Sequence, residues 1–327
     1  MNAVLLHESG HLSGDSPYYE RIASHPAGAH TFPYAFRIGP AYLVHVLPFS
    51  HTFSWQLIAL LAAGGAAGAL YALLLEFDVD RSLAAWLAIG FSLSPTLLVL
   101  FLRNGRGVDA VAIFVITLGC LFIVRRQKVA LAMTLLVGTT VQESCMFLVP
   151  LTYAVWAERP VDLKALRDVA AVAAVPVAVY LYLRASIVAV GQGYPPSIHG
   201  RIDVLREALQ NGGWHVELRR LALVYGPVWL AAAFALRTVP FARRGLVLVA
   251  LCMVSMTFAL DWGRAIFFAA PVFYVAAGCF LRNRRQLAVA TVIALLALDC
   301  GYAIYMQVHG VKHGLDTHAP PARGPVV

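Results

Sequence analysis

Carboxylates and arginines are scarce in this chain, and their placement is informative. Asp15, Glu20 and Arg37 lie in a polar stretch near the N-terminus, and Arg103, Arg106 and Asp109 bracket a short polar interval. Glu143, Asp261 and Arg264 stand at the ends of apolar runs. A carboxylate can take a proton from a hydroxyl group, and a guanidinium grips a phosphate through paired hydrogen bonds. Both kinds on one side of a protein are the equipment for binding an anionic head group and moving a proton. Glu143 and Arg264 carry most weight, because each ends an apolar helix instead of sitting in a broad loop. The competing account is a set of interfacial ion pairs whose side chains reach to water.

A second pattern is sharper but poorer in context. His7-Glu8-Ser9-Gly10-His11 satisfies H-E-x-x-H, in which two histidines one helical turn apart bind zinc and the glutamate serves as base. That chemistry requires a helix and a third ligand. Gly10 lies inside the string, Ser13-Gly14 follows it and only six residues precede it, which is poor helix material. No Asn-Pro or Leu-Asp-Gly segment supplies a partner, since Leu315-Asp316 runs into Thr317. The expectation is that no zinc is held there, and no metal ligand is assigned.

The elements that must position these residues follow from composition. Hydrophobic residues make up 60% of the 327 positions and charged residues 13%, more apolar surface than a soluble domain of this size can hide. They come in blocks near the length of a membrane span, at 54–77, 82–102, 108–124, 129–157, 168–189, 221–236, 244–260, 264–281 and 286–306. Helix is the only fit, since strands exposed to lipid would leave backbone groups unpaired, and the blocks do not alternate as barrel strands do. The block at 129–157 is flanked on both sides by basic residues, Arg125, Arg126 and Lys128 before it and Arg159, Lys164 and Arg167 after it. Both flanks therefore belong on one face, and the block must be a hairpin of two short helices turning near Val141-Gln142-Glu143-Ser144.

That choice predicts an all-α, polytopic transmembrane helix bundle with about ten membrane helices, some of them short. Loops 78–81, 125–128, 158–167, 237–243 and 282–285 fall on the basic, cytoplasmic face. Residues 1–53, the 103–107 loop, the Glu143 turn, the 190–220 loop, Asp261-Trp262-Gly263-Arg264 and the tail fall on the other. The division is 1–53 as an outer-face region, 54–306 as the bundle and 307–327 as a flexible tail. Within the long loop, Ile202, Leu205 and Leu209 mark one face of an amphipathic helix at 201–211. Gly64, Gly65 and Gly68 suggest close helix packing. The net charge of +8 reflects the basic loops, not a nucleic-acid surface. The five cysteines fall inside apolar blocks and read as core residues.

Four segments then resemble a known family. Gly14-Asp15-Ser16-Pro17-Tyr18-Tyr19-Glu20-Arg21-Ile22-Ala23, followed by Phe36-Arg37-Ile38-Gly39-Pro40, resembles the first extracytoplasmic loop of GT-C glycosyltransferase-like membrane proteins. Val108-Asp109-Ala110 opening a helix, Gly138-Thr139-Thr140-Val141-Gln142-Glu143-Ser144, and Asp261-Trp262-Gly263-Arg264 before a span with Pro271 continue it in the family's order. The resemblance implies a transferase that takes a sugar from a polyprenyl-phosphate carrier at the outer face of a cell membrane, most simply a bacterial plasma membrane. It implies Asp15 as base and Glu143 as a catalytic carboxylate shaping the acceptor or metal region. Arg264 and Arg103 become phosphate ligands, with Tyr18, Tyr19, Arg37, Asp109 and Asp261 around the substrates. A divalent metal stays open without a ligand set, because Pro17 stands where a paired aspartate would be. The family also places a membrane helix ahead of this loop, whereas here the sequence begins almost at the loop. The alternative is a non-catalytic multi-pass protein or a transporter, for which Asp299 within an apolar block is the polar residue of interest.

Overall fold

The structure is a computed structural model, and it describes residues 15–28, 30–98, 106–192, 206, 214–256 and 262–309. Helix accounts for 81% of it, so the all-α expectation holds at that level. The one addition is a two-stranded parallel pair, β1 (His30–Phe32) with β2 (Ala189–Gln192), in which His30 faces Ala189 and Phe32 faces Gln192. The H-E-x-x-H string, the helix expected at 201–211 apart from Arg206, and the tail beyond His309 lie outside the described residues.

Residues 15–53 are more structured than a loop. Helix α1 (Ser16–Ser24), β1, a 3-10 turn (Tyr34–Phe36) and α2 (Ile38–Val46) pack together before α3 (His51–Leu75) begins. Ser50 caps α3, its Oγ accepting from Phe53 N at 3.4 Å. Asp80 caps α4 (Arg81–Leu93) by accepting from Ser82 N at 2.9 Å. This accounts for an acidic residue in a loop expected to be basic.

Helix α5 (Asp109–Val124) lies along α3. Of the three glycines expected at a close contact, Gly65 makes it: a Cβ there would lie 2.9 Å from the Phe114 ring, while Gly64 and Gly68 meet nothing within 4 Å. The 129–157 block divides where its flanking charges require. Helix α6 (Lys128–Val141) stops at Gln142, which is extended, a 3-10 turn (Glu143–Phe147) follows, and α7 (Leu148–Trp156) returns. The return is tied down at the starting end, where Trp156 Nε1 donates to Ile123 O at 2.9 Å. Gly138 leaves room for the turn, since a Cβ there would sit 2.7 Å from the Cys145 Cβ.

The remaining elements are α8 (Leu163–Ser186), α9 (Trp214–Tyr225), α10 (Val228–Ala235), α11 (Pro240–Met256), α12 (Trp262–Phe267), α13 (Ala270–Leu281) and α14 (Arg285–His309). Among the described residues, three helices, α3, α8 and α14, are long and apolar enough to cross a membrane; α10 and α11 qualify together but are bent by 117°. Helices α4, α5, α6 and α13 are apolar but only 10–17 residues long, below the roughly 20 that a 30 Å hydrocarbon core takes. The described loops sort to two ends. At one, Arg125 pairs with Glu76, Lys128 with Asp168, and Arg282 donates to Phe77 O. At the other lie α1, α2, the Glu143 turn, the β pair and α12.

Candidate functional site

Asp15 occupies the N-cap position of α1 but makes no side-chain cap there. Its carboxylate is taken elsewhere: the Tyr34 hydroxyl donates to Oδ1 at 2.6 Å, and Arg264 Nη1 donates to Oδ2 at 3.2 Å. The same Arg264 nitrogen lies 3.5 Å from Oδ2 of Asp109, which opens α5. Arg264 is carried by α12, a short helix held from behind by aromatic packing. Phe267 stacks on Phe91 at 5.2 Å, and the Tyr225 hydroxyl donates to Ile266 O.

A second set adjoins the first through the aromatic residues of α1. Tyr18 stacks flat on Tyr34 at 4.4 Å, and buried Tyr19 meets the same ring edge-on at 5.4 Å. Arg37 Nη1 donates to the Tyr19 hydroxyl at 3.0 Å, while its Nε and Nη2 both lie 3.0 Å from Glu143 Oε2. Arg184, near the end of α8, donates to Glu143 Oε1 at 2.8 Å. Its guanidinium sits over the rings of Phe36 and Tyr180, 4.5 and 4.2 Å from their centroids. Arg37 reaches Glu143 because α2 starts hard against the end of α6: a Cβ at Gly39 would overlap Thr140.

Burial and charge oppose each other here. Burial alone would raise the pKa of Asp15, but Arg264 first, then the Tyr34 hydroxyl and Arg37, hold it below the usual carboxylate range. Glu143 is also pushed up by burial and pulled below its ordinary value by Arg37, its backbone hydrogen bond and Arg184. Burial raises the Tyr19 phenol, so it stays neutral. Asp15 and Glu143 are therefore anions near neutral pH, each with an arginine partner. Arg37 and Asp109 are the more enclosed members, with side chains 14% and 13% exposed.

A fourth carboxylate, Glu20, has partners outside this set. It accepts from His51 Nδ1 at 2.9 Å and Trp55 Nε1 at 3.2 Å, and Arg106 Nε lies 3.8 Å away. Arg106 also donates to Thr52 Oγ1 at 2.7 Å. These contacts fasten α1 to the start of α3.

Of the residues singled out by sequence, Asp15, Tyr18, Tyr19, Arg37, Asp109, Glu143 and Arg264 come together; Arg103 and Asp261 lie outside the described residues. Two members of the network are additional. Arg184 lies near the end of an apolar block, so the signal that marks Glu143 and Arg264 extends to it. Tyr34 has no such signal, because its hydroxyl gains importance only through Asp15. Among the described residues, no three His, Cys, Asp or Glu side chains gather to hold a metal ion, and the Arg264 guanidinium stands between Asp15 and Asp109. As arranged, the described donors do not fit a metal. No protein-family model matches the chain, and no curated protein matches it.

Proposed function

We propose that this chain is a multi-pass membrane protein that crosses a bilayer about ten times and acts as a GT-C-like glycosyltransferase. In this reading it moves a sugar from a polyprenyl-phosphate carrier to a hydroxyl acceptor at the face where the charged network lies. Membrane placement is supported by the direction of apolar side chains. Val129, Leu230 and Phe234 are 80%, 71% and 70% exposed, and only 22% of the most apolar window of α8 is buried. In water each such side chain forgoes about 25 cal/mol per Å² of burial, whereas hydrocarbon imposes no such cost. A cell membrane is the location that follows, and the resemblance narrows it to a bacterial plasma membrane.

The transferase part rests on one observation: acids and arginines from residues as far apart as 15 and 264 form one network at one end of an apolar bundle. The acceptor oxygen attacks the anomeric carbon of the sugar. The bond from that carbon to the phosphate oxygen breaks, with its electron pair leaving on the phosphate, and Asp15 takes the hydroxyl proton. Arg264 offsets the charge that develops on the leaving phosphate. Glu143, clamped by Arg37 and Arg184, shapes the acceptor side, and the Tyr18–Tyr34 stack offers a ring surface beside it.

The test is transfer of labelled sugar from a polyprenyl-phosphate donor in membranes. Asp15→Asn keeps size and hydrogen-bonding shape but removes the base, so turnover should fall by about 100-fold or more while the protein remains inserted. Unchanged turnover would remove Asp15 from the reaction. No turnover by the unaltered protein would favour the transporter or scaffold reading, for which one feature speaks. Asp299, within α14, is 1% exposed, and neither carboxyl oxygen has a hydrogen-bond partner among the described residues. On that reading Asp299→Asn, not Asp15→Asn, is the damaging change.

A further inference from the structure

Asp15 is held in a state that suits a base badly. Tyr34 occupies one carboxylate oxygen at 2.6 Å and Arg264 the other at 3.2 Å. The charge of Arg37 acts on it as well, and among the described residues Tyr18, Tyr19 and Asp109 are the further titratable groups of the network. A carboxylate so compensated has little affinity for a proton. Among the described residues, the network balances three carboxylates (Asp15, Asp109, Glu143) against three guanidinium groups (Arg264, Arg37, Arg184). A phosphate that binds at any of these three guanidinium groups therefore draws on one already engaged.

The contact distances indicate which one gives way. Arg37 and Arg184 hold Glu143 at 3.0 and 2.8 Å, and Arg184 is also stacked on two rings. Arg264 is shared between Asp15 at 3.2 Å and Asp109 at 3.5 Å, the longest ion pairs of the network among the described residues. A phosphate can face Arg264 with two oxygens in a paired geometry that neither aspartate has adopted. Once it does, Asp15 loses attraction and gains a negative neighbour, and both effects favour its protonated form.

We infer that Arg264 is a switch shared by Asp15 and the phosphate of the ligand: phosphate binding at Arg264 releases Asp15, which then becomes a proton acceptor. Phosphate binding and proton uptake are thereby one coupled event. The donor precedes the acceptor, and the base is not armed until its leaving group is in place. With phosphate bound and no acceptor present the proton comes from solvent; it returns to solvent as the acceptor docks, and in the reaction Asp15 takes the proton of the acceptor hydroxyl. The inference rests on the transferase reading for the identity of the phosphate, a polyprenyl phosphate.

Calorimetric titration of the purified full chain in lipid nanodiscs with polyprenyl phosphate, in two buffers of different ionisation enthalpy, counts protons taken up per ligand bound. Wild type should take up more than Asp15→Asn by a difference approaching one proton, with both binding the ligand. Arg264→Ala should bind about tenfold or more weakly, the loss expected for a charged hydrogen-bonding partner. A parallel titration with inorganic phosphate asks whether the head group alone is enough: uptake with it assigns the coupling to the phosphate, and binding without uptake overturns it. Binding of polyprenyl phosphate with equal uptake in wild type and Asp15→Asn would overturn the switch while leaving the phosphate site. No binding at all would overturn both the switch and the transferase reading. Should Asp15→Asn fail to fold, infrared difference spectra of the unaltered protein decide the matter. Ligand addition should convert a carboxylate band into that of a protonated acid, and an unchanged carboxylate region would refute the coupling.

Discussion

The two ends of this bundle use the same residue types for different purposes. At the basic end, arginines and lysines stay close to the surface and serve nearby structure. Lys128, 50% exposed, pairs with Asp168, and Arg125 pairs with Glu76. Arg244, Arg282 and Arg284 donate to the carbonyls of Val155, Phe77 and Phe280. Those carbonyls lie at or just beyond helix C-termini, where a cation also meets the negative end of the helix dipole. At the other end, arginines reach carboxylates far away in sequence, Arg37 to Glu143 and Arg264 to Asp15, with less water around them. Exposed pairs contribute little because solvent screens them. Enclosed pairs are interdependent, since losing one partner leaves a charge without compensation.

The largest expected effect concerns which side of a membrane each end faces. In a background without native cysteines, single cysteines at Gln127 and Asn283 should be protected from an impermeant thiol reagent that labels one at Ala27. All three positions are exposed, so burial does not account for a difference. Labelling of all three from the same side would abolish the two-ended comparison.

Next in size is the cost of unpairing. Arg37→Ala removes one of the two arginines on Glu143 and the partner of the Tyr19 hydroxyl and should cost about 2 kcal/mol, the scale of hydrogen bonds to a charged group. Lys128→Ala at the basic end should cost under about 1 kcal/mol. Thermal unfolding in detergent, followed by tryptophan fluorescence, measures both; equal shifts would show that the ends do not differ in this respect.

Acid provides the smallest and most graded probe. Asp15 and Glu143 have folded-state pKa values below their ordinary 3.8 and 4.5. Their contribution is complete above those ordinary values and is lost as pH falls through the lower folded-state ones. Below about pH 4, amide hydrogen exchange should therefore quicken in α1, α2 and the Glu143 turn. The change should persist at high salt, because enclosed pairs are screened much less than exposed ones. An acid effect at this end that disappears in high salt would place its ion pairs in the exposed class.

Much of the architecture was legible because it depends on local quantities. Apolar length and the absence of alternation specify helices wherever the chain runs, and basic flanks on both sides of 129–157 require it to turn back, as it does between Val141 and Leu148. The cost of leaving a charge at the end of an apolar helix was enough to single out Glu143 and Arg264, and applied evenly it also marks Arg184. Residues 15–53 were harder to read. Their short helices, β1 and the 3-10 turn are stabilised by what lies across the bundle, including a strand more than 150 residues away.

The sequence by itself determined that the chain is helical, where its long apolar block breaks, which loops share an end and which charges stand out. Those properties follow from composition, spacing and transfer free energy, each contained within a segment of about twenty residues. Only the tertiary structure decided the partners. It joined Arg264 to both Asp15 and Asp109, gave Glu143 two arginines, and set the Tyr34 hydroxyl against Asp15. Whether a carboxylate is a base or half of an ion pair depends on the charges within a few ångströms of it. For Asp15 those charges come from residues up to 249 positions away, a distance that no local pattern spans.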